Sequence, residues 1–333
     1  MSVRGLLTTA LALGAVLLGA SGCARERPRL DSGEYLRSWG LAAINAHPAY
    51  LAGASGRGVT VALVDCGLDR SQPDLRRNVS RQSTDLLPAR LAPAPVARHA
   101  DHVAGPLGSA LDGRGLVGVA YNARVLAIRA DVDGGWNGQC AFRTADLARA
   151  LDYAVEKRAR IVVLPIQHPR PLGGGFEPAL QRAVAAGVVV VVAAGNQSGE
   201  QPAWPARYAA DRRFAGGMIA VGAARADGSL AAWSNRAGDT GRYFLAAPGE
   251  GVITDCGKEY CRRVSGTSFA APYVAGALAP VMEARPDLHG PAAAQLLLAG
   301  AQDAGEPGQD PIYGQGLLDV GRAFAQIRAA GGD

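Results

Sequence analysis

Short apolar runs rich in β-branched residues recur along this chain and constrain its fold more than any other feature. The clearest is GVVVVVAA at residues 187–194, and a similar run, GVTVALVDCG, occupies residues 58–67. A run of this length without polar alternation is typical of a strand buried on both faces. Each predicted strand therefore needs cover on both faces. Further runs of this kind lie at residues 123–130, 159–166 and 217–223.

The segments between these runs have the periodicity of amphipathic helices. In residues 144–157, TADLARALDYAVEK, apolar side chains recur at helical spacing, and Thr144 is predicted to cap the helix. Residues 175–186 have a similar pattern. Alternating strands and helices predict an α/β fold with a mostly parallel central sheet and helices on both faces. In such sheets, reactive groups gather at the carboxyl ends of the strands.

The first residues have the pattern of an export signal. Arg4 supplies a positive charge, and residues 6–18, LLTTALALGAVLL, form an apolar stretch too short for an ordinary membrane-spanning helix. Small residues and a cysteine follow in GASGC at residues 19–23. We therefore expect residues 1–22 to be a lipoprotein signal peptide.

The cysteine that ends this pattern resembles the lipid-carrying residue of a bacterial lipobox, so Cys23 is the expected lipidation site. Ala20 departs from the leucine that such patterns prefer, and a plain secretory signal is the alternative. Ala24 follows where lipoproteins retained in the inner membrane usually carry aspartate. The expected location is the outer membrane of a bacterial envelope, on its periplasmic or its cell-surface side.

Export would permit disulfides in the remainder of the chain. Cys256 and Cys261 bracket the short segment GKEY, which a hairpin could close into a bridge and so leave Cys66 with Cys140. The four cysteines allow three pairings, and the sequence does not choose among them. Free buried thiols are the alternative, and no zinc site is expected because there is no CxxC pair.

Polar residues with catalytic chemistry occur in three separate segments. Asp65 ends the first apolar run, His99 lies in RHADHVAG, and Ser268 lies in SGTSFAAP before small and apolar residues that could open a helix. Taken singly, each has a structural explanation: an aspartate capping a turn, a structural histidine and a serine capping a helix. Their joint order along the chain is far more specific.

These segments resemble the motifs of the subtilisin family of serine peptidases. VALVDCGLDRSQPDL at residues 61–75 resembles its aspartate motif, HADHVAG at 99–105 its histidine motif, and SGTSFAAPYVAG at 265–276 its serine motif. AAGN at residues 193–196 is similar to the segment that carries the family's oxyanion asparagine. The resemblance covers roughly residues 39–324 and implies the family's three-layer fold.

The same resemblance divides the chain into segments. Residues 23–57 are expected to form a tether and leader, and residues 58–329 the peptidase domain. YFLAAPGE at residues 243–250 and DPIYGQGLLDVGRAF at 310–324 also resemble the passenger domains of autotransporter subtilases. The chain is therefore interpreted as a lipid-anchored relative without their β-barrel, and the leader is too short to be the family's usual inhibitory pro-domain.

The resemblance implies a serine endopeptidase that acts on exported or surface proteins through an acyl-enzyme. His99 would take the proton of Ser268, and Asp65 would orient and stabilise the imidazole. Asn196 and the backbone N–H of Ser268 would stabilise the oxyanion. His102, one helical turn after His99, would be a structural neighbour.

The substrates implied are extended peptides or proteins, which bind along the edge of a strand. A cis bond is expected at Trp204–Pro205, by the family's first specificity pocket. The chain is expected to be a monomer, without a required cofactor, and the net charge of +5 with no Lys/Arg block argues against nucleic acid. The expected substrate-binding residues are Leu164, Pro165, Ile166, Gln167, Ala193, Ala194 and Gly195.

Several residues depart from the family pattern. Ala100 and Asp101 follow the candidate base, and Asp101 could raise the pKa of His99 or point to solvent. Gln72 replaces a histidine outside the triad. VVLPIQH at residues 162–168 replaces the family's Ser-Leu-Gly edge, which predicts a narrower cleft. The alternative function is therefore a catalytically impaired member that binds extended peptides, and an esterase on the same fold is a further rival.

A calcium ion is the one metal that the resemblance allows. Asp74 and Asp112 lie in loops that hold calcium in some relatives. Their neighbours do not form a strong ligand set, so solvated turn carboxylates are the expected explanation, and no metal site is assigned.

Overall fold

The apolar runs form a parallel sheet in the computed structural model of the protein, which describes residues 26–87, 98–132, 140–256 and 260–330. Seven strands lie in the order β2-β3-β1-β4-β5-β6-β7, and every neighbouring pair is parallel. A separate antiparallel hairpin joins β8 and β9. The strands are β1 (Thr60–Asp65), β2 (Thr84–Asp85), β3 (Arg124–Arg129), β4 (Ile161–Leu164), β5 (Val189–Ala193), β6 (Met218–Ala224), β7 (Phe244–Pro248), β8 (Val252–Thr254) and β9 (Arg262–Val264).

Helices cover both faces of this sheet, so the predicted α/β architecture is confirmed. Three short 3₁₀ helices span Ala206–Ala210, Arg212–Phe214 and Gly238–Tyr243 in the described residues. The α-helices are α1 (Gly33–Arg37), α2 (Gly40–Ala43), α3 (His47–Leu51), α4 (His99–Gly108), α5 (Thr144–Glu156), α6 (Phe176–Ala185), α7 (Thr267–Ala284), α8 (Gly290–Ala299) and α9 (Val320–Ala330).

Successive residues of each central strand enter different cores, because strand side chains alternate between faces. In β4, Ile161 and Val163 face a core that α4, α7, α8 and α9 cover. Val162 and Leu164 face a second core that α5 and α6 cover. Both faces of the strand are therefore dry, which is why the sequence shows continuous apolar runs rather than alternation.

The element boundaries agree closely with the patterns in the sequence, but one predicted cap is wrong. Thr144 is the first residue of α5 itself, and Arg143 occupies the capping position without a side-chain hydrogen bond to the backbone of the helix. Arg143 instead donates from Nε to Asp146 at 2.9 Å. An acidic residue in the first turn thus binds a neighbouring guanidinium at this end of the helix.

The leader shares its core with the peptidase domain. Leu41, Ile44 and Tyr50 are buried in the same core as helix α9. The backbone N–H of Val320 donates to the carbonyl of Ile44 at 2.8 Å, which joins the leader to the far end of the chain. Residues on both sides of the expected boundary at residue 57 therefore contribute to one core in the described part of the chain.

The order of the strands places a crevice beside β1 and β4. The chain adds β3 on one side of β1 and then crosses to add β4 on the other. Ligands of open α/β sheets bind beyond the carboxyl ends of strands at such a switch in direction. Asp65 ends β1, and Pro165 directly follows β4, so both lie at this position.

Helix α7 is buried along most of its length and packs very closely against its surroundings. A Cβ added at Gly276 would lie 2.8 Å from Cβ of Val119 and 3.3 Å from the carbonyl oxygen of Leu107. The close approach requires glycine at this position, because any larger side chain would push α7 away from α4.

We expect Gly276→Ala to lower the free energy of unfolding by about 1–3 kcal/mol, as overpacked core substitutions do. Urea denaturation followed by circular dichroism measures this as a lower midpoint at an unchanged slope. Gly173→Ala is the matched control, because a Cβ there would meet no atom within 4 Å. Equal midpoints for the two variants would contradict the packing argument.

Candidate active site

Asp65 and His99 are brought together from the end of a strand and the start of a helix. Nδ1 of His99 lies 2.8 Å from Oδ2 and 3.0 Å from Oδ1 of Asp65. Asp65 is fully buried, and its Oδ1 also accepts the backbone N–H of Cys66 at 2.7 Å. A carboxylate bonded to Nδ1 fixes the proton on that nitrogen and leaves Nε2 as an acceptor.

The environment of His99 tunes its basicity in two opposing ways. Burial alone would lower the pKa of His99, because it disfavours the charged imidazolium. The negative charge of Asp65 and the hydrogen bond to it act in the other direction and prevail, so the pKa is raised above its ordinary value. The imidazole is thus a stronger base than a free histidine.

Ser268 lies in the first turn of α7, on the same side of the sheet as His99. The ring of the next residue, Phe269, lies 5.6 Å from the ring of His99, centroid to centroid. Oγ of Ser268 donates to the carbonyl oxygen of Pro165 at 3.0 Å. The hydroxyl is therefore directed to the end of β4 in this conformation, rather than to the imidazole.

Asn196 is fixed to the start of α7 through its side-chain oxygen. Oδ1 accepts the backbone N–H of Thr267 at 2.9 Å and the Thr267 hydroxyl at 2.8 Å. An amide oxygen bound in this way leaves the Nδ2 group of Asn196 free to donate elsewhere. The same Thr267 hydroxyl accepts the N–H of Gly195 at 3.1 Å. These bonds connect the loop that follows β5 to the start of α7.

The loop after β5 is also held from behind by a residue that the sequence did not reveal. Oδ1 of Asn235 accepts the N–H groups of Gln197 at 3.0 Å and Gly199 at 2.8 Å. Its Nδ2 donates to the carbonyl of Ala194 at 2.9 Å. Asn235 is buried and takes the place of a backbone partner for this turn. In the sequence, Asn235 is only an asparagine in the segment WSN, and this pattern does not identify a functional residue.

The expected substrate-binding residues fall into two groups. Leu164, Ala193 and Ala194 have side chains buried in the cores, so their side chains do not line the cleft. Pro165 offers its carbonyl to Ser268, and Gln167 is exposed. Ile166 is buried in the same core as Leu164, and Gly195 is also buried.

The segment after β4 that departs from the family pattern is held by hydrogen bonds at Gln167 and His168. His168 and Trp204 exchange backbone hydrogen bonds of 2.6 and 3.0 Å. Oε1 of Gln167 accepts the backbone N–H of Asn196 at 3.0 Å. The Trp204–Pro205 peptide bond is cis, as predicted from the sequence.

The cysteines in the described residues form two bridges. Cys66 pairs with Cys140, directly beside Asp65, and Cys256 pairs with Cys261 at the hairpin of β8 and β9. Cys23 and the expected signal peptide lie outside the described residues. In the parts of the chain that the structure describes, no helix is both long and apolar enough to span a bilayer.

A second group of charged residues lies beside His99. Asp101 is buried, and it accepts the backbone N–H of Asp69 at 2.8 Å and Nε of Arg98 at 3.0 Å. Burial raises the pKa of Asp101, and these two bonds only partly offset it. The expectation that Asp101 could point to solvent is wrong, since its carboxylate is buried in the first turn of α4 and bonded to Asp69 and Arg98.

His102 lies in the same group and differs from His99. Its Nε2 lies 3.4 Å from Oδ2 of Asp255, but no hydrogen bond forms. Burial lowers the pKa of His102 in spite of this carboxylate. The two histidines thus have opposite pKa shifts, and only His99 has the partner that a catalytic base requires.

The aspartates considered for calcium do not come together as ligands. Asp74 is buried, and this burial raises its pKa to about 6, although its Oδ2 accepts the N–H of Leu116 at 3.4 Å. Asp112 instead accepts the N–H of Arg114 at 3.2 Å. Among the described residues, metal-type ligands cluster only at Asp65, Cys66 and Cys140, where both cysteines are bridged. Neither the two aspartates Asp74 and Asp112 nor the group that contains the bridged cysteines fits a bound calcium ion.

Comparison with known proteins agrees with this geometry. The family model described as the subtilase family matches residues 56–316. The chain is 31% identical to the major intracellular serine protease of Bacillus subtilis (strain 168), over 72% of this chain and 73% of the relative. It is 29% identical to Subtilisin BL of Lederbergia lenta, over 85% of this chain and 96% of the relative.

A solved structure supports the same fold. A protease from Pseudoalteromonas arctica PAMC 21717 superposes with a TM-score of 0.72 at 23% identity, covering 89% of this chain and 98% of that one. The fold, the family match and the similarity to named serine proteases agree. The chain therefore belongs to the subtilase family and is a serine-type endopeptidase.

Proposed function

We propose that this protein is a lipid-anchored endopeptidase that cleaves exported or surface proteins with Ser268 as nucleophile, His99 as base and Asp65 as the group that orients the base. The observation that carries this proposal is the Asp65–His99 pair, at 2.8 Å, beside the first turn of the helix that presents Ser268. Extended peptide segments are the proposed substrates, and no cofactor is required.

In the acylation step, the Ser268 hydroxyl turns from the carbonyl of Pro165 to Nε2 of His99. Oγ attacks the substrate carbonyl carbon while Nε2 takes the proton, and Asp65 stabilises the imidazolium that forms. His99 then protonates the leaving amine, and the peptide C–N bond breaks. A water molecule, deprotonated by His99, hydrolyses the acyl-enzyme and restores the Ser268 hydroxyl.

The negative oxygen of the tetrahedral intermediate needs donors that are already in place. Asn196 would donate from Nδ2, because its Oδ1 is held by Thr267. The backbone N–H of Ser268, at the N-terminal end of the 18-residue helix α7, would be the second donor. The positive end of the helix dipole also favours negative charge at this position.

Export and anchoring are supported by separate features. The N-terminal pattern ends at Cys23, and both cysteine pairs in the described residues are bridged, which is typical of an oxidising compartment. We infer lipidation of Cys23 and attachment to the outer membrane. The likeness to autotransporter passenger domains belongs to the same proposal, as does the division into residues 1–22, 23–57 and 58–329.

A catalytically impaired protein that binds peptides is the second candidate. The observation that favours it is the hydrogen bond from Ser268 to Pro165, which occupies the hydroxyl that His99 would otherwise bind. Backbone pairing of an extended peptide with the segment after β4 would serve a binder equally well.

A fluorophosphonate probe separates these candidates, because it reacts only with an activated serine. We expect the folded wild-type protein to be labelled and Ser268→Ala to be unlabelled. Ser265→Ala is the matched control within the same motif, since Ser265 is exposed and accepts the N–H of Gly251 at 3.0 Å. A wild-type protein that is folded but unlabelled would favour the peptide-binding candidate. Peptides that are released by the wild type and not by Ser268→Ala would identify the substrates.

The acid limb of the pH–rate profile should follow the raised pKa of His99. Because the base must be neutral, kcat/KM should fall as the pH drops through a midpoint above the ordinary value of about 6.5. Asp65→Asn removes the charge that raises this pKa, so the midpoint should move down and the rate should fall by about 10⁴-fold. His289→Gln, at an exposed position, is the control. An unchanged midpoint in Asp65→Asn would contradict the assignment.

Asn196→Ala should lower kcat by about 10²–10³-fold with little change in KM, because the lost donor acts on the oxyanion that forms during reaction. Steady-state kinetics on one peptide substrate measure both constants. Gln197→Ala, the exposed next residue, should keep kcat within about twofold of the wild type. Equal kcat values for the two variants would remove Asn196 from the oxyanion site.

A further inference from the structure

We propose that Gln167 determines the specificity of this peptidase, because its side chain closes the space that receives the substrate residue on the acyl side of the cleaved bond. The inference rests on the function proposed above. It assigns to this site a preference for small side chains, such as those of glycine, alanine and serine.

The position of the acyl-side residue follows from two fixed groups. Once Oγ of Ser268 bonds to the carbonyl carbon, the amide nitrogen of that residue is two covalent bonds away, near the carbonyl of Pro165. That carbonyl already lies 3.0 Å from Oγ and can accept the substrate N–H. The substrate carbonyl oxygen faces the amide of Asn196. The Cα between them therefore lies over the gap between the segments that follow the paired strands β4 and β5, and its side chain enters that gap.

The backbone encloses this gap on three sides. The segment from Pro165 to His168 forms one wall, and the loop from Ala193 to Asn196 forms the opposite wall. The back is closed by the chain at residues 203–204, since the N–H of Ala203 donates to Ala194 at 2.7 Å and Trp204 pairs with His168. Only the side that faces the cleft has no backbone across it.

Gln167 spans that remaining side. Its backbone belongs to one wall, and its Oε1 accepts the N–H of Asn196 on the other wall at 3.0 Å. A glycine at this position would leave the side open, whereas the glutamine carboxamide lies across it. A large acyl-side residue would have to displace this bond and leave the Asn196 N–H without its partner, whereas a small one would not.

The expected size of the substrate preference follows from the exposure of the hydrogen bond between Gln167 and Asn196. Gln167 and Asn196 are both exposed, so water can replace part of the lost interaction. We expect discrimination of about tenfold between alanine and phenylalanine, which corresponds to about 1.4 kcal/mol.

The experiment uses peptide p-nitroanilides that differ only in the acyl-side residue, Gly, Ala, Leu or Phe, with the full-length protein. The wild type should cleave after alanine about tenfold more efficiently than after phenylalanine. Gln167→Ala and Gln167→Gly should remove this difference by raising kcat/KM for leucine and phenylalanine. Gln167→Glu keeps the length and the accepting oxygen, so it should retain the preference. Gln82→Ala, an exposed glutamine on the far loop, is the control.

The other outcomes overturn the inference in distinguishable ways. If Gln167→Ala slows all four substrates in parallel, the residue acts by positioning Asn196 and does not set specificity. Equal wild-type rates on alanine and phenylalanine would show that the gap is open. If the wild type cleaves none of the substrates and takes up no fluorophosphonate, the proposed function fails, and this inference fails with it.

Discussion

The hydrogen bonds between Thr267 and Asn196 connect the fold of this protein to its chemistry. A buried helix begins with N–H groups that have no partner within the helix, and α7 has no side-chain cap of its own. Asn196, from the loop after β5, supplies the missing acceptor to the N–H and the hydroxyl of Thr267. The requirement to cap α7 thus orients the carboxamide whose other end faces the reaction. Because α7 is buried in the core, the bonds to Thr267 tie Asn196 to the start of the helix that carries Ser268.

The two buried aspartates near the site show what a carboxylate needs in such a fold. The carboxylate of Asp65 is fully buried and accepts hydrogen bonds from a backbone N–H and from the imidazole of His99. Asp74 is similarly buried, but its carboxylate has a single long hydrogen bond, and burial raises its pKa to about 6. Burial disfavours the charged form unless hydrogen bonds and opposite charge compensate for it. The carboxylate at the end of β1 thus has the partners within hydrogen-bonding distance that the carboxylate of Asp74 lacks.

Much of the fold could be predicted from the sequence, because strands with two buried faces and helices with one each have their own periodicity. The order of Asp65, His99 and Ser268 was also visible, since each lies in a specific local pattern. The contacts that hold the site residues in place could not be predicted from the sequence. Gln167 bonds to a residue that is 29 positions away and Thr267 to one that is 71 away, and no periodicity records such pairs. The predicted cap at Thr144 failed for a related reason, because a local arginine–aspartate contact prevailed over side-chain preference.

The resting position of the Ser268 hydroxyl is compatible with catalysis. Pro165 has no N–H to offer to a substrate, but its carbonyl can accept a hydrogen bond, and Ser268 uses it here. Changing between staggered rotamers of one side chain is a small step compared with rebuilding the site. The parts that would be costly to assemble, namely the Asp65–His99 pair and the anchored Asn196, are already in place. A protein that only bound peptides would have no need to hold a buried carboxylate against an imidazole, so the geometry favours the peptidase.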